Sequence, residues 1–290
     1  MRRSRGERIF SIFNIFIMCV IIFITLYPFW YVIMASFSNP VDVARGLVVF
    51  TPSGFNLTSI RHVLAMEEVW RGYLNTIFYA VAGTAITMTL TVLGAYPLSR
   101  RRLRGRKLFM IFILITMWFG AGMVPHFLNF QSIPGMMNGR FTMLFVFAIS
   151  TFHVILLRTF FENVPDSMEE SAKMDGANDI TVLTRIFMPL SIPALAAITL
   201  FSFVGRWNAW FWAQLLLRNP NYIPLQVVLR RMIVEASFTA TETADFSMFE
   251  LTEQTVIYAT IVVAVIPMLV VYPFVQKFFV RGIMVGAIKG

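Results

Sequence analysis

The chain has 290 residues, of which 58% are hydrophobic and only 13% are charged, and its mean hydropathy is +0.72. A soluble domain of this size could not bury so much apolar surface, so lipid must be the solvent for most of the chain. The composition therefore excludes a cytosolic enzyme, a secreted disulfide scaffold and a disordered segment. The single cysteine, Cys19, lies inside an apolar run, which excludes an intrachain disulfide and a cysteine-based metal site.

Six apolar stretches are each long enough to cross a bilayer, which takes about 20 residues. The first is too long for a signal-peptide core, so we expect it to remain in the chain. Together they predict an all-α integral membrane protein with six transmembrane helices and a single domain over residues 1–290. The predicted spans cover residues 9–35, 74–98, 108–128, 142–160, 194–217 and 255–275.

The distribution of Lys and Arg predicts the orientation of these spans. Most of the 24 basic residues precede the first span, follow the second, lie in the loop between the fourth and fifth, or follow the sixth. Because cytoplasmic loops carry the basic excess, both termini are expected on the cytoplasmic side. The net charge of +9 then comes mostly from basic residues that orient the spans in the membrane, and no nucleic-acid partner is expected.

The segment between the fourth and fifth spans has the pattern of a helix–turn–helix. Asp166 and Glu169 are spaced as in a capping box, and Gly176 suits the left-handed residue that ends a helix. A second helix is expected to begin near Asn178, and Pro189 is expected to bend it towards the fifth span. On the cytoplasmic face, such a helix pair would protrude and could dock into a cleft on another protein.

This segment, residues 163–193, resembles the EAA loop of ABC importer permeases. In that family Glu-Ala-Ala is followed by Gly after three residues, and by Ile-x-Leu-Pro after nine more. The spacing here is the same, and the residue types depart conservatively at Ser171 and Met188. The residues that carry the match are Glu170, Ser171, Ala172, Gly176, Ile186, Met188 and Pro189.

Two further segments, Trp207-Asn208 and the tail 276–290, resemble the carbohydrate-uptake branch of this family, typified by the maltose permease subunits. The resemblance covers nearly the whole chain. It implies a multi-pass permease subunit in the bacterial cytoplasmic (inner) membrane that moves an oligosaccharide by alternating access. The implied partners are a second related permease subunit in a heterodimer, two ABC ATPase subunits, an extracytoplasmic solute-binding protein and the sugar.

In the family this loop is a coupling helix that docks into a cleft on the ATPase subunit. The chain has no P-loop motif, so it is expected to be non-enzymatic and to hold no cofactor, with ATP and Mg bound by the ATPase partners. An interfacial helix lying on the membrane is disfavoured, because acidic residues are repelled by an anionic leaflet. The expected docking residues are Met168, Glu169, Glu170, Ser171, Ala172, Met174, Asp175, Gly176, Ala177, Ile186 and Pro189.

Two other classes of membrane protein are weighed against this reading. The six predicted spans contain no Asp or Glu, whereas proton-coupled secondary transporters commonly use carboxylates as relays. A secondary active transporter without an ATPase partner is therefore the alternative, but a disfavoured one. An intramembrane enzyme would need paired Asp residues or a Ser/His motif, and the spans have neither.

Arg206 is the charged residue nearest the centre of a predicted span. Burying a guanidinium in a bilayer costs at least about 2.5 kcal/mol, so the residue should face a counter-charge or a water-filled path. We predict that a substrate path is lined by Arg206, Trp207, Asn208 and Trp210, where indole faces suit sugar rings.

The charge of Arg206 also bears on the substrate. An uncharged residue is usual at this position in the family, so Arg206 favours the branch that imports uronic-acid oligosaccharides such as alginate or pectin fragments. An equally weighted alternative is that Arg206 pairs with a carboxylate on the second permease subunit, or extends its charge to the membrane surface.

Overall fold

The computed structural model of the protein describes residues 5–242, 254–270 and 273, and every regular element in these ranges is helical. The predicted all-α class is confirmed. The tail motif at 276–290 lies outside the described residues. The helices are α1 (Arg5–Ser36), α2 (Pro40–Ala44), α3 (Thr58–Ala65), α4 (Glu67–Ser99), α5 (Arg106–Trp118), α6 (Met123–Ser132), α7 (Thr142–Phe145), α8 (Thr151–Glu162), α9 (Asp166–Met174), α10 (Asp179–Val182), α11 (Met188–Leu190), α12 (Ile192–Trp207), α13 (Phe211–Leu216), α14 (Leu225–Glu242) and α15 (Gln254–Val270).

Among the described residues, two helices are long and apolar enough to cross a membrane unaided, Ile9–Ser36 within α1 and Glu67–Ser99, which is α4. The large apolar side chains of α1 are exposed along nearly its whole length. Such a surface would be unfavourable in water but suits hydrocarbon. These helices contain the first two predicted spans.

Three of the other predicted spans are interrupted. α5 and α6 bend by 112° at the break between them, where Gly122 has a φ of 82°. α7 and α8 are separated by a segment in which Phe147 has a φ of 51°, and α12 ends before the last third of the fifth predicted span. Non-helical backbone at membrane depth is tolerated where protein buries it or where it lines a cavity. The count of six crossings therefore stays a prediction.

One compact unit contains the described residues of 1–70 and 228–266. Its small core packs the end of α1 against α2 and the turn that follows. The Ser59 hydroxyl donates a buried hydrogen bond of 2.8 Å to Thr255 Oγ1, which ties α3 to α15. The core residues are Ala35, Val43 and Val48.

The other unit contains the described residues of 71–227 and 267–290. Its core packs α4, α8 and α12 against the segment that follows α10. Three rings, those of Tyr96, Phe161 and Phe187, meet edge-to-face with centroids 5.3 to 6.4 Å apart. Such aromatic contacts add to the free energy of burial, so this end of α4 is a rigid platform for the loop described next.

Candidate functional site

Residues 163–193 form the helix–turn–helix that the sequence predicts. After α9, Gly176 has a φ of 82°, a left-handed conformation in which glycine carries no steric cost. Asn178 then caps α10, because its side chain accepts a hydrogen bond of 2.8 Å from the Thr181 amide. The predicted capping box is wrong, since no side chain caps α9 and the Glu169 carboxylate binds a distant arginine instead.

The second helix of this loop leads directly into α12. α10 continues through a π-helical turn, Leu183–Phe187, into α11, and the chain then bends by 84°. Pro189 and Pro193 stand on either side of the bend and supply no amide hydrogen to a continuous helix. The predicted bend into the fifth span is thereby confirmed. The loop is thus joined to α12 by a short connection in which Ser191 is buried but Leu190 and Ile192 are exposed.

α9 has two different faces. On the outer face Met174 is 89% exposed, and Met168 and Glu170 are exposed beside it. Ile180 on α10 is 72% exposed and adds an apolar side chain that the sequence analysis did not single out. The exposed predicted residues are Met168, Glu170, Ser171, Met174, Asp175, Gly176 and Pro189; those turned at least partly inward are Glu169, Ala172, Ala177 and Ile186.

The inner face of α9 is held by Arg100, which is only 5% exposed. Its Nη1 lies 3.0 Å from Glu169 Oε2, and its Nη2 donates a 2.7 Å hydrogen bond to the Phe161 carbonyl. Its Nε donates to Ser99 Oγ at 3.0 Å, and its guanidinium carbon lies 4.2 Å from the centre of the Phe187 ring. A buried charge of this kind is tolerated because it is paired and hydrogen-bonded.

Three more charges extend this ion pair across the turn. Lys173 Nζ lies 2.7 Å from Glu169 Oε1 and 3.4 Å from Asp179 Oδ1. Arg102 Nη2 lies 2.6 Å from Asp179 Oδ1, and this hydrogen bond raises the pKa of the Arg102 guanidinium. The network joins the segment after α4 to both helices of the loop. Sequence analysis explained these arginines by topology alone, because nothing in their local spacing reveals partners some 70 residues away.

The same unit contains a cavity of about 390 Å³. This volume falls within the range of roughly 300–1,000 Å³ typical of small-molecule sites. Its wall is mixed, with a guanidinium, several hydroxyl groups, an imidazole and several aromatic rings. The lining residues include Tyr79, Thr87, Met143, Phe147, Ser150, His153, Ser202, Arg206 and Trp212.

Arg206 supplies the charge of this cavity. Its Nη1 donates to the Met143 carbonyl at 2.7 Å, and its Nη2 donates to Thr87 Oγ1 at 2.9 Å and to the Leu144 carbonyl at 3.3 Å. These acceptors are neutral, and among the described residues no carboxylate forms an ion pair with Arg206. The hydrogen bonds fix the guanidinium in place, but its positive charge remains uncompensated within this part of the chain.

Gly83 makes room for the guanidinium on the surface of α4. A Cβ atom at this position would lie 2.5 Å from Arg206 Nη1 and 2.6 Å from Cζ, which is closer than real contacts allow. Glycine in a helix interior costs about 1 kcal/mol relative to alanine. The absence of a side chain at Gly83 is what allows Arg206 of α12 to approach α4 this closely.

Aromatic side chains form one side of the cavity. Phe147 has a φ of 51°, unusual for a bulky residue, and its ring lies 5.3 Å from that of Trp212 and 5.4 Å from that of His126. Phe130 contacts the same rings. Strained backbone of this kind persists where its surroundings over-determine it, and it is common at binding sites.

Of the four predicted path residues, only Arg206 lines the cavity. Trp207 is 2% exposed and packs against Phe203 and Tyr73, both with ring centroids 6.0 Å away. Asn208 is exposed, and its side chain donates to the Val204 carbonyl at 3.0 Å. Trp210 lies outside the cavity wall and contacts the Phe211 ring. The lining residues that sequence analysis did not assign to the path include Phe147, Trp212, Ser202 and His153.

Long apolar helices, a helix–turn–helix with an exposed apolar tip and a charged internal cavity define the class of a membrane permease. The chain belongs to the family described as binding-protein-dependent transport system inner membrane component, whose match covers residues 1–285.

Individual relatives agree with this assignment. The polygalacturonan/rhamnogalacturonan transport system permease protein YtcP of Bacillus subtilis is 40% identical over 268 residues, which covers 92% of this chain and 93% of the relative. The trehalose/maltose transport system permease protein MalG of Thermococcus litoralis is 28% identical over the full length of both chains. A chain of a bacterial ABC transporter involved in the import of the acidic polysaccharide alginate superposes with a TM-score of 0.86 and 42% identity, covering 96% of this chain and 99% of that one.

Proposed function

We propose that this chain is the permease subunit of an ABC importer that moves an acidic oligosaccharide across the bacterial cytoplasmic membrane. Six crossings with both termini cytoplasmic, and one permease domain over residues 1–290, complete the proposal. It is supported by the family membership and by similar proteins that are named for transport of polygalacturonan/rhamnogalacturonan and for import of alginate. A non-identical second permease, two ABC ATPase subunits and a solute-binding protein are the proposed partners.

The observation that carries the proposal for the substrate is the uncompensated charge of Arg206 in the cavity wall. A carboxylate on a sugar ring would balance the charge of the guanidinium and accept a charge-assisted hydrogen bond from it. Such hydrogen bonds are stronger than those between neutral groups. Aromatic rings such as those of Phe147 and Trp212 suit the apolar faces of the same sugar. Of the four path residues that the sequence suggested, Arg206 is kept in this role.

The loop 163–193 is the proposed contact with the ATPase subunits, which would bind ATP and Mg. The exposed Met168, Met174 and Ile180 offer apolar anchors, and Glu170 offers a charge between them. Closure of the ATPase dimer on ATP would then push α9, and the permease would alternate between inward-facing and outward-facing states. The chain contributes no ATP-hydrolysing group to this cycle.

The test is uptake in proteoliposomes that contain this chain with its co-expressed permease, ATPase and binding-protein partners. We expect ATP-dependent uptake of an oligogalacturonide and much weaker uptake of a neutral maltooligosaccharide of equal length. Equal uptake of both sugars would reject the acidic substrate. Uptake by this chain alone, driven by an ion gradient and indifferent to ATP, would reject the ABC mechanism in favour of a secondary transporter.

A further inference from the structure

We propose that Arg100 is a positioning residue that locks α9 to the end of α4, so that movement of the loop is passed along α4 to the cavity. The inference rests on the proposed docking of α9 to the ATPase. It assigns a mechanical role to Arg100, whereas the distribution of basic residues would treat it as only one of several cytoplasmic charges.

The first support is the number of elements that Arg100 joins. The residue directly follows the last residue of α4, and its side chain reaches Glu169 in α9 and the Phe161 carbonyl in α8. It also lies over the Phe187 ring in the π-helical turn. All three nitrogen atoms of the guanidinium are used in this way. The planar fork of arginine can make these bonds at once, whereas the point charge of lysine cannot.

The second support is burial. A charge that only orients a membrane protein needs no particular partner and can remain in solvent. Arg101 and Arg104 in the same run are exposed, as that role allows, but Arg100 is 5% exposed and faces a carboxylate that is itself buried. Removing Arg100 would leave the buried Glu169 with only its outer partners, Lys173 and Arg102. Removing Glu169 would leave the Arg100 charge with only the exposed Asp166 at 3.8 Å. The arrangement therefore holds α9 in one position relative to α4.

The third support is the course of α4. Ser99 at its end contacts Arg100, and twelve residues earlier Thr87 accepts the hydrogen bond from Arg206. Twelve helical residues span about 18 Å. The same helix, α4, therefore contacts Arg100 and its ion pairs at its end, and contacts Arg206 of the cavity twelve residues earlier. A rigid element with contacts at two sites is a physical route by which one site can bias the other.

The experiment uses the reconstituted complex with three variants, Arg100→Gln, Arg100→Lys and Glu169→Gln. Arg104→Gln is the matched control, because it removes the same charge from the same run at an exposed site. Three quantities are measured: cross-linking of a cysteine at position 174 to the ATPase, ATP hydrolysis, and sugar transported per ATP hydrolysed.

We expect Arg100→Gln to keep the cross-link and ATP hydrolysis while transport per ATP falls about tenfold, the size of coupling that such networks carry. Arg100→Lys should lose less, and Arg104→Gln should stay within about twofold of the unmodified complex. Wild-type transport per ATP in Arg100→Gln would overturn the inference, as would a loss that only follows the amount of assembled complex.

If Arg100→Gln does not assemble, Glu169→Gln decides by the same criterion, because it removes the carboxylate charge that pairs with Arg100 at nearly unchanged side-chain volume. Here too, reduced transport per ATP supports the lock, and an unchanged ratio rejects it. Absence of the cross-link in the unmodified complex would instead show that the proposed docking of α9 has failed.

Discussion

The same unit of the protein contains two arginines that are withdrawn from solvent, and their surroundings differ. Arg100 faces the Glu169 carboxylate at 3.0 Å, so its charge is balanced inside the chain. Arg206 donates to two carbonyls and to the hydroxyl of Thr87, none of which carries a charge. A balanced pair holds elements together, whereas an unbalanced charge in a cavity attracts an anion. The comparison sets a structural role for Arg100 against the ligand-binding role that we propose for Arg206.

The largest expected effect tests this contrast through stability. Arg100→Met leaves Glu169 buried with only its outer partners, which should lower the free energy of unfolding by about 3 kcal/mol. Arg206→Met breaks hydrogen bonds but also removes a charge buried without a counter-charge, so the two effects partly cancel and the loss should be only about 1 kcal/mol. Thermal unfolding of the purified chain in detergent measures both variants. Equal losses would show that the two sites do not differ in the way described.

The next effect concerns substrate choice. Arg206→Gln should reduce uptake of an oligogalacturonide by about 10- to 100-fold, because a charge-assisted hydrogen bond of about 1.5–3 kcal/mol is lost. Uptake of a neutral oligosaccharide by the same proteoliposomes serves as the internal control and should change by less than about twofold. A parallel loss of both activities would indicate a packing role for Arg206.

Gly83 allows the seat of Arg206 to be tested without changing a charge. Gly83→Ala places a methyl group where the guanidinium now lies, so uptake of the acidic sugar should fall about fivefold. Gly94→Ala is the matched control on the same helix, since its Cβ would meet only Val154 at an ordinary 3.8 Å. That control should preserve uptake and slightly stabilise the helix. If the two alanine variants behave alike, the close approach at Gly83 has no part in transport.

The smallest effect concerns the turn between α9 and α10. Gly176→Ala forces an ordinary residue into a left-handed conformation at a cost of roughly 1 kcal/mol, although its Cβ would meet no neighbouring atom. Affinity for the ATPase subunit, measured by co-purification at graded detergent-to-protein ratios, should weaken by about fivefold. Gly205→Ala, also free of close neighbours but within a regular helix, should leave it unchanged. Unaltered affinity in Gly176→Ala would mean that the turn geometry is not needed for docking.

Sequence analysis predicted the loop better than the cavity, and the reason is the range of the contacts. The turn depends on residues that act locally, with Gly176 ending one helix and Asn178 starting the next. The cavity depends on contacts between α4, α7 and α12, which are far apart along the chain. Trp207 is an example: it was predicted to line the path because it follows Arg206 in the sequence, but its ring is buried among other side chains.

Two other misjudged features have the same cause. The spacing of Asp166 and Glu169 is that of a capping box, but Arg100 offers the Glu169 carboxylate a buried partner that the local sequence does not reveal. The apolar stretch of the fourth predicted span gave no sign of the left-handed Phe147 that separates α7 from α8. In both places a tertiary contact outweighed a local preference.

The most direct test of the central claim is cross-linking between the loop and the ATPase. Single cysteines at positions 170 and 174, on the exposed face of α9, would be introduced into a Cys19→Ser chain co-expressed with its partners. A cysteine replacing Val182, which is fully buried in α10, is the control and should not react. We predict a cross-link from the exposed positions whose yield changes with ATP. No cross-link from any exposed position of α9, in membranes that contain both proteins, would contradict the account.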